Sequence, residues 1–311
     1  MKRKQSGFKI MMRLIKLVKP LAFFMVLAVI LGVTGFLCAI QITVLGSMTL
    51  LTAAGINGGL AIKTGCICII IFAVLRGFLH YGEQACNHYI AFKLLALIRD
   101  KVFKSLRRLT PAKLEGKDKG NLISLITSDI ELLEVFYAHT ISPICIAFLT
   151  SLVMLIFIGR YSSWLMLVAL AAYITVGIII PLASSKFNKN IGMTYRENSG
   201  ALSGYVLDSM RGLLESIRYN STDIRLNEMN EKTDELNSLQ KKLKKIEGHN
   251  ISITDISIIF FSITMLLVAI CLYQKGTIGF DGLIVSTVAM MSSFGPVAAL
   301  SNLAGNLTHT L

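Results

Sequence analysis

Residues 135–185 read VFYAHTISPICIAFLTSLVMLIFIGRYSSWLMLVALAAYITVGIIIPLASS, and Arg160 is the only Lys, Arg, Asp or Glu among them. Arg160 divides this stretch into two windows of 25 residues each. A membrane-spanning helix needs about 20 predominantly apolar residues, so both windows are long enough. The few polar residues around Arg160 suffice only for a tight turn. The stretch therefore predicts two consecutive membrane helices joined by a short loop.

The other uncharged windows of the sequence extend this pattern to six membrane helices. We predict them near residues 21–45, 61–85, 135–158, 161–184, 251–273 and 282–305. A Gly-containing turn at residues 54–59 separates the first two helices, and Pro296 lies inside the sixth. The expected fold class is all-α, a six-helix transmembrane bundle.

Composition agrees with a membrane protein and argues against other classes. Of the 311 residues, 54% are hydrophobic and 16% charged, which is more apolar material than one soluble core normally buries. The net charge of +13 could suggest nucleic acid, but the basic residues alternate with long uncharged stretches, so we expect no nucleic-acid partner. The six cysteines form no CxxC pair and no cluster with zinc spacing, so we expect no metal site.

The positions of Lys and Arg set the expected orientation in the membrane. Residues 1–19 contain seven of them, residues 91–134 nine and residues 185–250 eleven, which together make 27 of the 31. Cytoplasmic segments are the ones enriched in Lys and Arg. We therefore predict a multi-pass plasma-membrane protein whose termini and two long loops are all cytoplasmic.

Both long loops have the periodicity of continuous helix rather than of separate domains. Apolar residues recur every three or four positions in residues 92–103, 198–217 and 226–246. The membrane helices should thus extend far into the cytosol and turn in two short polar segments, residues 115–120 and 219–223. Such turns can dock a cytosolic partner.

Residues 1–20 form a basic amphipathic segment that ends at Pro20. We expect it to lie as an elbow along the inner leaflet, where its cations meet anionic lipid. An ordinary positively charged flank of the first membrane helix is the alternative.

Six helices with long loops after the second and the fourth resemble the transmembrane domain of the type I ABC exporter family, over residues 21–311. Within it, residues 76–88, RGFLHYGEQACNH, resemble the CydC-type subunit of the transporter that supports cytochrome bd assembly. There the second helix carries a pattern like RYxERLxSH. Tyr81, Glu83 and His88 fall on this pattern, while His80 and Gln84 stand where two arginines are expected. The resemblance implies export of a thiol (cysteine or glutathione), with haem possible at His88.

The same resemblance implies contacts with nucleotide-binding domains at the two loop turns. In the family these turns are coupling helices, which transmit ATP-driven closure to the membrane helices. The residues that would make these contacts here are Lys117, Gly120 and Ser124 in the first loop, and Gly212 and Tyr219 in the second. A second transmembrane half, identical or different, is also implied as a partner.

No ATPase motif of the form GxxxxGK[ST] occurs in the sequence. We therefore expect no nucleotide-binding domain and no catalytic residue in this chain, and ATP to bind on a partner domain. The resemblance implies that the complete transporter would be an ABC-type ATPase, a translocase, although this chain carries no ATPase motif. A divided or truncated half-transporter and a non-transporting membrane subunit are both compatible with this expectation.

Polar residues inside predicted membrane helices are the candidates for a translocation path, since they are costly in lipid. Arg76, His80 and Glu83 are spaced by four and three residues and share one helix face. An ion-paired network that only fixes helix packing is the alternative. His139 and Asp255 are two further candidates. The alternatives to thiol export are export of a peptide, a lipid or a drug, or a subunit that does not transport.

Overall fold

The computed structural model describes residues 21–56, 60–109 and 141–310, without the side chains of 109, 185–190 and 302–310. Every regular element in these ranges is helical. Six helical segments there are long and apolar enough to cross a membrane. The prediction of an all-α protein with six membrane spans is therefore confirmed. The elbow at residues 1–20 and the first loop turn at residues 115–120 lie outside the described residues.

The described helices are, in chain order, α1 (Ala22–Ala53), α2 (Ile62–Leu109), α3 (Ser142–Gly159), α4 (Ser163–Ile174), a π-helix (Thr175–Ile179), α5 (Ile180–Arg211), α6 (Leu213–Arg218), α7 (Thr222–Gln274) and α8 (Phe280–Thr310). Helix α2 has 48 residues and α7 has 53. Both are more than twice as long as the roughly 20 residues that lipid requires. The predicted extension of membrane helices beyond the bilayer is thus confirmed.

Three helices end in the same hydrogen-bonding pattern, closed by a residue with positive φ. After α1, Gly55 (φ 77°) donates its N–H to the Thr52 carbonyl at 3.1 Å, and Ile56 donates to the Leu51 carbonyl at 3.0 Å. Gly276 after α7 and Asn220 after α6 occupy the equivalent position. This pattern satisfies the carbonyls of a helix's last turn, and Gly or Asn adopts the required conformation most easily. Asn220 therefore helps to end α6, which has only six residues.

The fourth membrane segment is not a regular α-helix throughout. Pro181, the second residue of α5, has no N–H to give to the carbonyl four residues earlier, that of Gly177. The π-helix Thr175–Ile179 surrounds this carbonyl. A local π-type turn is a common way to accommodate such a break in the hydrogen-bond ladder.

The chain forms two compact units, Met1–Ala171 with Phe261–Val297, and Ala172–Phe260 with Ala298–Leu311. In the first unit, α1 packs along α2 and also contacts α3. It does so through a buried stripe of small residues: Ala28, Gly32, Gly35 and Cys38. Lipid tails are as apolar as the helices, so close approach at small residues is what holds membrane helices together.

Candidate functional site

The predicted polar stripe of α2 is divided by the structure into exposed and buried members. Arg76 and His80 are exposed, whereas Glu83 is buried with 7% of its surface accessible. His80 Nδ1 lies 3.3 Å from Glu83 Oε2, so one exposed and one buried member remain in contact. The three residues share a helix face, but only Glu83 is turned into the protein interior.

Glu83 is buried because a glycine of α1 lets three helices meet there. A Cβ added at Gly32 would overlap Ile146 of α3 and would lie 3.2 Å from Glu83 Cδ. One turn along α2, Asn87 is 5% exposed, and its Oδ1 has no hydrogen-bond partner among the described residues. Thr150 lies one turn along α3 from Ile146, and its buried Oγ1 also has no hydrogen-bond partner among the described residues. The junction of α1, α2 and α3 thus contains polar groups that the described contacts only partly satisfy.

An open groove of about 440 Å³ lies between α1 and α2 beside this junction. Its lining is almost wholly apolar and consists of Ile30, Leu31, Thr34, Leu37, Cys38, Gln41, Phe72, Leu75 and Leu79. The groove can accept hydrocarbon. It offers few groups that could bind a charged solute.

Of the other predicted site residues on membrane helices, His88 and Asp255 are both exposed. His88 is exposed on α2, and its ring stacks on that of Phe92 with centroids 6.1 Å apart. Asp255 is exposed on α7, next to the buried Thr254. His139 lies outside the described residues, as do Lys117, Gly120 and Ser124.

The second loop reaches its tip at α6, which Gly212 and Tyr219 flank. Gly212 ends α5 and precedes the six residues of α6, so both predicted contact residues lie at this tip. Large apolar side chains around the tip are exposed: Met210, Leu213, Leu214, Ile217, Tyr219 and Ile224. Leu214 is the most accessible of them, at 81%. Apolar side chains collected on a short helix in water are typical of a protein contact surface.

Two hydrogen-bonded pairs connect α5 to α7 behind this tip. Asn198 Nδ2 donates to Glu235 Oε1 at 3.0 Å, and the Tyr205 hydroxyl donates to Glu228 Oε2 at 2.5 Å. The partners are seven residues apart on both helices and run in opposite directions along the chain. The two helices therefore form an antiparallel hairpin with a fixed register, here called the α5–α7 hairpin.

Tyr205 makes several contacts across the α5–α7 hairpin. The Arg225 guanidinium and the Lys232 ammonium each lie 5.5 Å from the centre of its ring. Cations at this distance are attracted to the face of an aromatic ring. The hydrogen bond to Glu228 raises the pKa of the Tyr205 hydroxyl above its ordinary value, because ionisation would remove the donated proton beside a carboxylate.

Two polar contacts join helices elsewhere in the second unit. Asn250 of α7 donates to the Ser184 hydroxyl of α5, and the hydroxyls of Thr254 and Ser301 are 2.8 Å apart and buried. Sequence reasoning missed these residues and Tyr205. Neither the polar residues of α5 and α7 nor single hydroxyls in apolar helices signal their partners in the sequence.

The described residues hold no group of three His, Cys, Asp or Glu that could bind a metal ion.

Comparison with known proteins places the chain in a family. Residues 21–297 match the family model described as the ABC transporter transmembrane region. A protein of Haemophilus influenzae named "Probable ABC transporter ATP-binding/permease protein" is 44% identical over 308 residues, which are 99% of this chain and 56% of that protein.

More distant relatives carry names that differ in substrate. An "ATP-dependent lipid A-core flippase 1" of Colwellia psychrerythraea is 29% identical over 57% of this chain and 29% of its own length. A "Glutathione/L-cysteine transport system ATP-binding/permease protein CydC" of Haemophilus influenzae is 22% identical over 49% of this chain and 26% of its own length. This chain thus spans little more than half the length of the Haemophilus influenzae ATP-binding/permease protein.

The family match covers most of the chain, and six helical segments are long and apolar enough to cross a membrane. The chain therefore belongs to the ABC transporter transmembrane family and is a multi-pass membrane protein.

Proposed function

We propose that this chain is the membrane-spanning half of an ATP-driven exporter and that α6 is one of its contacts with a nucleotide-binding domain. The exposed apolar tip of the α5–α7 hairpin is the single observation that carries the proposal. The name of the Haemophilus influenzae relative, which joins ATP-binding and permease functions, supports it. ATP would bind on the nucleotide-binding domain.

The α5–α7 hairpin gives this contact a physical means of action. The pairs Asn198–Glu235 and Tyr205–Glu228 oppose sliding of α5 along α7, so a push on α6 would move both helices. Helix α7 continues without a break from Thr222 to Gln274. Displacement of the tip would thus reach the apolar part of α7 as a rigid-body movement, which is how alternating access works in transporters.

The translocation path would be lined by exposed polar residues of the membrane helices. Arg76, His80 and Asp255 meet this description, and Glu83 would act through its contact with His80. Only 6% of the apolar span of α2 is buried in the single chain, which leaves its surface available to lipid and to a second transmembrane half. The Lys and Arg distribution supports cytoplasmic termini.

Thiol export, of glutathione or cysteine, is the substrate that the helix-two pattern favours. Tyr81, Glu83 and His88 carry it, together with the CydC relative. Lipid export is the second candidate, favoured by the apolar groove between α1 and α2 and by the flippase relative. Stimulation of ATP hydrolysis by reduced glutathione or cysteine would support the first candidate, and stimulation only by lipid would overturn it.

Haem binding at His88 is a separate proposal. The exposed imidazole of His88 could hold a haem iron through one ring nitrogen. However, His80 and Gln84 replace the arginines that could pair with haem propionates. The residues present would supply one ligand for iron but no complete haem pocket, so no step of the mechanism passes through haem. A Soret band lost in His88→Ala would support the ligand, and an unchanged band would remove it.

The export proposal is tested at Leu214 in the complete transporter, with its nucleotide-binding domains, in lipid nanodiscs. Leu214→Asp places a charge at the centre of the exposed apolar tip, and we expect ATP hydrolysis to fall at least tenfold. Met193→Asp is the matched control, since Met193 is also an exposed apolar residue of unit two, on α5. Its ATP hydrolysis should stay within twofold of wild type. Equal activity of the two variants would contradict the proposed contact.

A further inference from the structure

Helix α7 segregates its charges along its length. Residues 223–235 contain five acids and two bases: Asp223, Arg225, Glu228, Glu231, Lys232, Asp234 and Glu235. Residues 241–247 contain four lysines and one acid: Lys241, Lys242, Lys244, Lys245 and Glu247. One helix is therefore negative near the loop tip and positive next to its apolar span.

The four lysines lie on one face of α7. With about 100° between successive residues of a helix, they cover less than half of the circumference, centred opposite Leu243. Leu243 is buried at 7% exposure, while all four lysines are exposed. Asn250, which bonds to Ser184 of α5, lies on the same side as Leu243. The lysines thus point away from the contact between α5 and α7.

Three of these lysines have no ion pair among the described residues. Lys244 Nζ lies 2.7 Å from Glu247 Oε2, which neutralises that one charge. Lys241, Lys242 and Lys245 make no such contact within the described part of the chain. Their positive charge is therefore available to an external anion.

Their position along the helix is just outside the lipid headgroups, within reach of long side chains. The predicted span begins near Ile251, six residues after Lys245 and ten after Lys241. At about 1.5 Å per residue, these lysines start roughly 9 and 15 Å from the hydrocarbon. Headgroups extend about 5–7 Å outside the hydrocarbon core, and a long lysine side chain extends further towards them.

We propose that Lys241, Lys242 and Lys245 form a binding surface for the phosphate groups of anionic phospholipids in the adjacent leaflet. Charge complementarity close to the headgroup layer selects this occupant. The acidic residues 223–235 would be repelled by the same leaflet, which would hold the loop tip away from the membrane. The proposal does not depend on export, on the substrate or on the contact at α6.

The test is native mass spectrometry of the full chain released from micelles with equal amounts of phosphatidylglycerol and phosphatidylcholine. The test variant is K241Q/K242Q/K245Q. The control variant, R211Q/R218Q/K232Q, removes the same three charges from exposed positions farther from the span. A lysine near an anionic surface contributes about fivefold to binding. We therefore expect the preference for phosphatidylglycerol over phosphatidylcholine to fall at least tenfold in the test variant and to stay unchanged in the control.

A second measurement compares thermal unfolding in nanodiscs of phosphatidylcholine alone and of phosphatidylcholine with one quarter phosphatidylglycerol. Wild type and control should gain several degrees from the anionic lipid, and K241Q/K242Q/K245Q should gain less than half as much. The gain should shrink in high salt, because the lysines are exposed. An unchanged preference in the test variant, an equal loss in the control, or no preference in wild type would overturn the proposal.

Discussion

The contact between α1 and α2 and the contact between α5 and α7 are both helix pairs, but different chemistry holds them together. In the first, the helices come so close that a Cβ at Gly35 would lie 3.6 Å from Leu79 Cβ, and one at Gly65 would overlap Thr49. In the second, long polar side chains reach across a wider gap, as in the Tyr205–Glu228 pair.

The solvent explains the difference. In lipid, apolar helices associate mainly through van der Waals contact, because lipid tails are as apolar as their side chains. The α1–α2 pair therefore depends on small residues that let the two backbones approach closely. Water would accept the polar groups of the α5–α7 hairpin just as well, so that pair depends on specific hydrogen bonds of modest net value. Added volume should damage the first contact, and lost hydrogen bonds the second.

Among the substitutions that test this difference, Gly32→Leu should reduce the stability of the protein most. Its side chain would collide with Ile146 and Glu83, so α1 must move away from both neighbours. We expect the free energy of unfolding to fall by about 3 kcal/mol, at the upper end for overpacking. Thermal unfolding and the yield of monodisperse protein measure it.

The matched control is Gly46→Leu on the same helix. A Cβ at Gly46 meets no atom within 4 Å, so the same change in volume and propensity should leave stability within about 0.5 kcal/mol of wild type. Similar losses at Gly32 and Gly46 would show that helix packing at Gly32 is not the cause.

Thr254→Val comes next, because it leaves the buried Ser301 hydroxyl without its described partner. We expect a loss of about 1 kcal/mol in the free energy of unfolding. Since replacing both hydroxyls removes the unsatisfied group, Thr254→Val with Ser301→Ala should cost less than the sum of the single changes. Thermal unfolding of the four proteins measures the coupling. Strict additivity would mean that the two hydroxyls do not interact.

Tyr205→Phe should have a smaller and local effect. It removes the hydrogen bond to Glu228 but keeps the ring between Arg225 and Lys232. We expect the loss of this hydrogen bond to speed hydrogen exchange in α6, as measured by mass spectrometry. Tyr81→Phe, at an exposed position of α2, should leave this exchange unchanged. Unaltered exchange in Tyr205→Phe would contradict the role of this pair in fixing the register.

The smallest effect concerns alkaline pH. The raised pKa of Tyr205 means that its hydrogen bond is complete below the ordinary tyrosine pKa of about 10 and is lost as pH rises through the higher folded value. Nothing should change near pH 7. The phenolate absorbance of wild type minus that of Tyr205→Phe should titrate above pH 10, and titration at or below pH 10 would show that the hydroxyl is not held by Glu228.

The fold was largely predictable because charge is nearly forbidden in lipid. The windows on either side of Arg160 indicate α3 and α4 without any structural knowledge. Glycine at 55 and 276 indicates where α1 and α7 end, since few other residues adopt positive φ. Each of these signals depends only on neighbouring residues, so it can be recognised in a single sequence.

The site was less predictable because it depends on which neighbour each face meets. Helical spacing puts Arg76, His80 and Glu83 on one face, yet only Glu83 is buried, because Gly32 of α1 allows close approach at that level. The Tyr205–Glu228 pair joins residues 23 positions apart on two helices. No periodicity within either helix specifies such a partner.

The central claim, that α6 is a contact through which ATP drives the membrane helices, can be tested most directly by photocrosslinking. A benzoyl-phenylalanine at Leu214 in the complete transporter should give a crosslinked peptide from a nucleotide-binding domain, while the same group at Met193 should give none. No adduct at Leu214, or equal adducts at both positions, would contradict the claim.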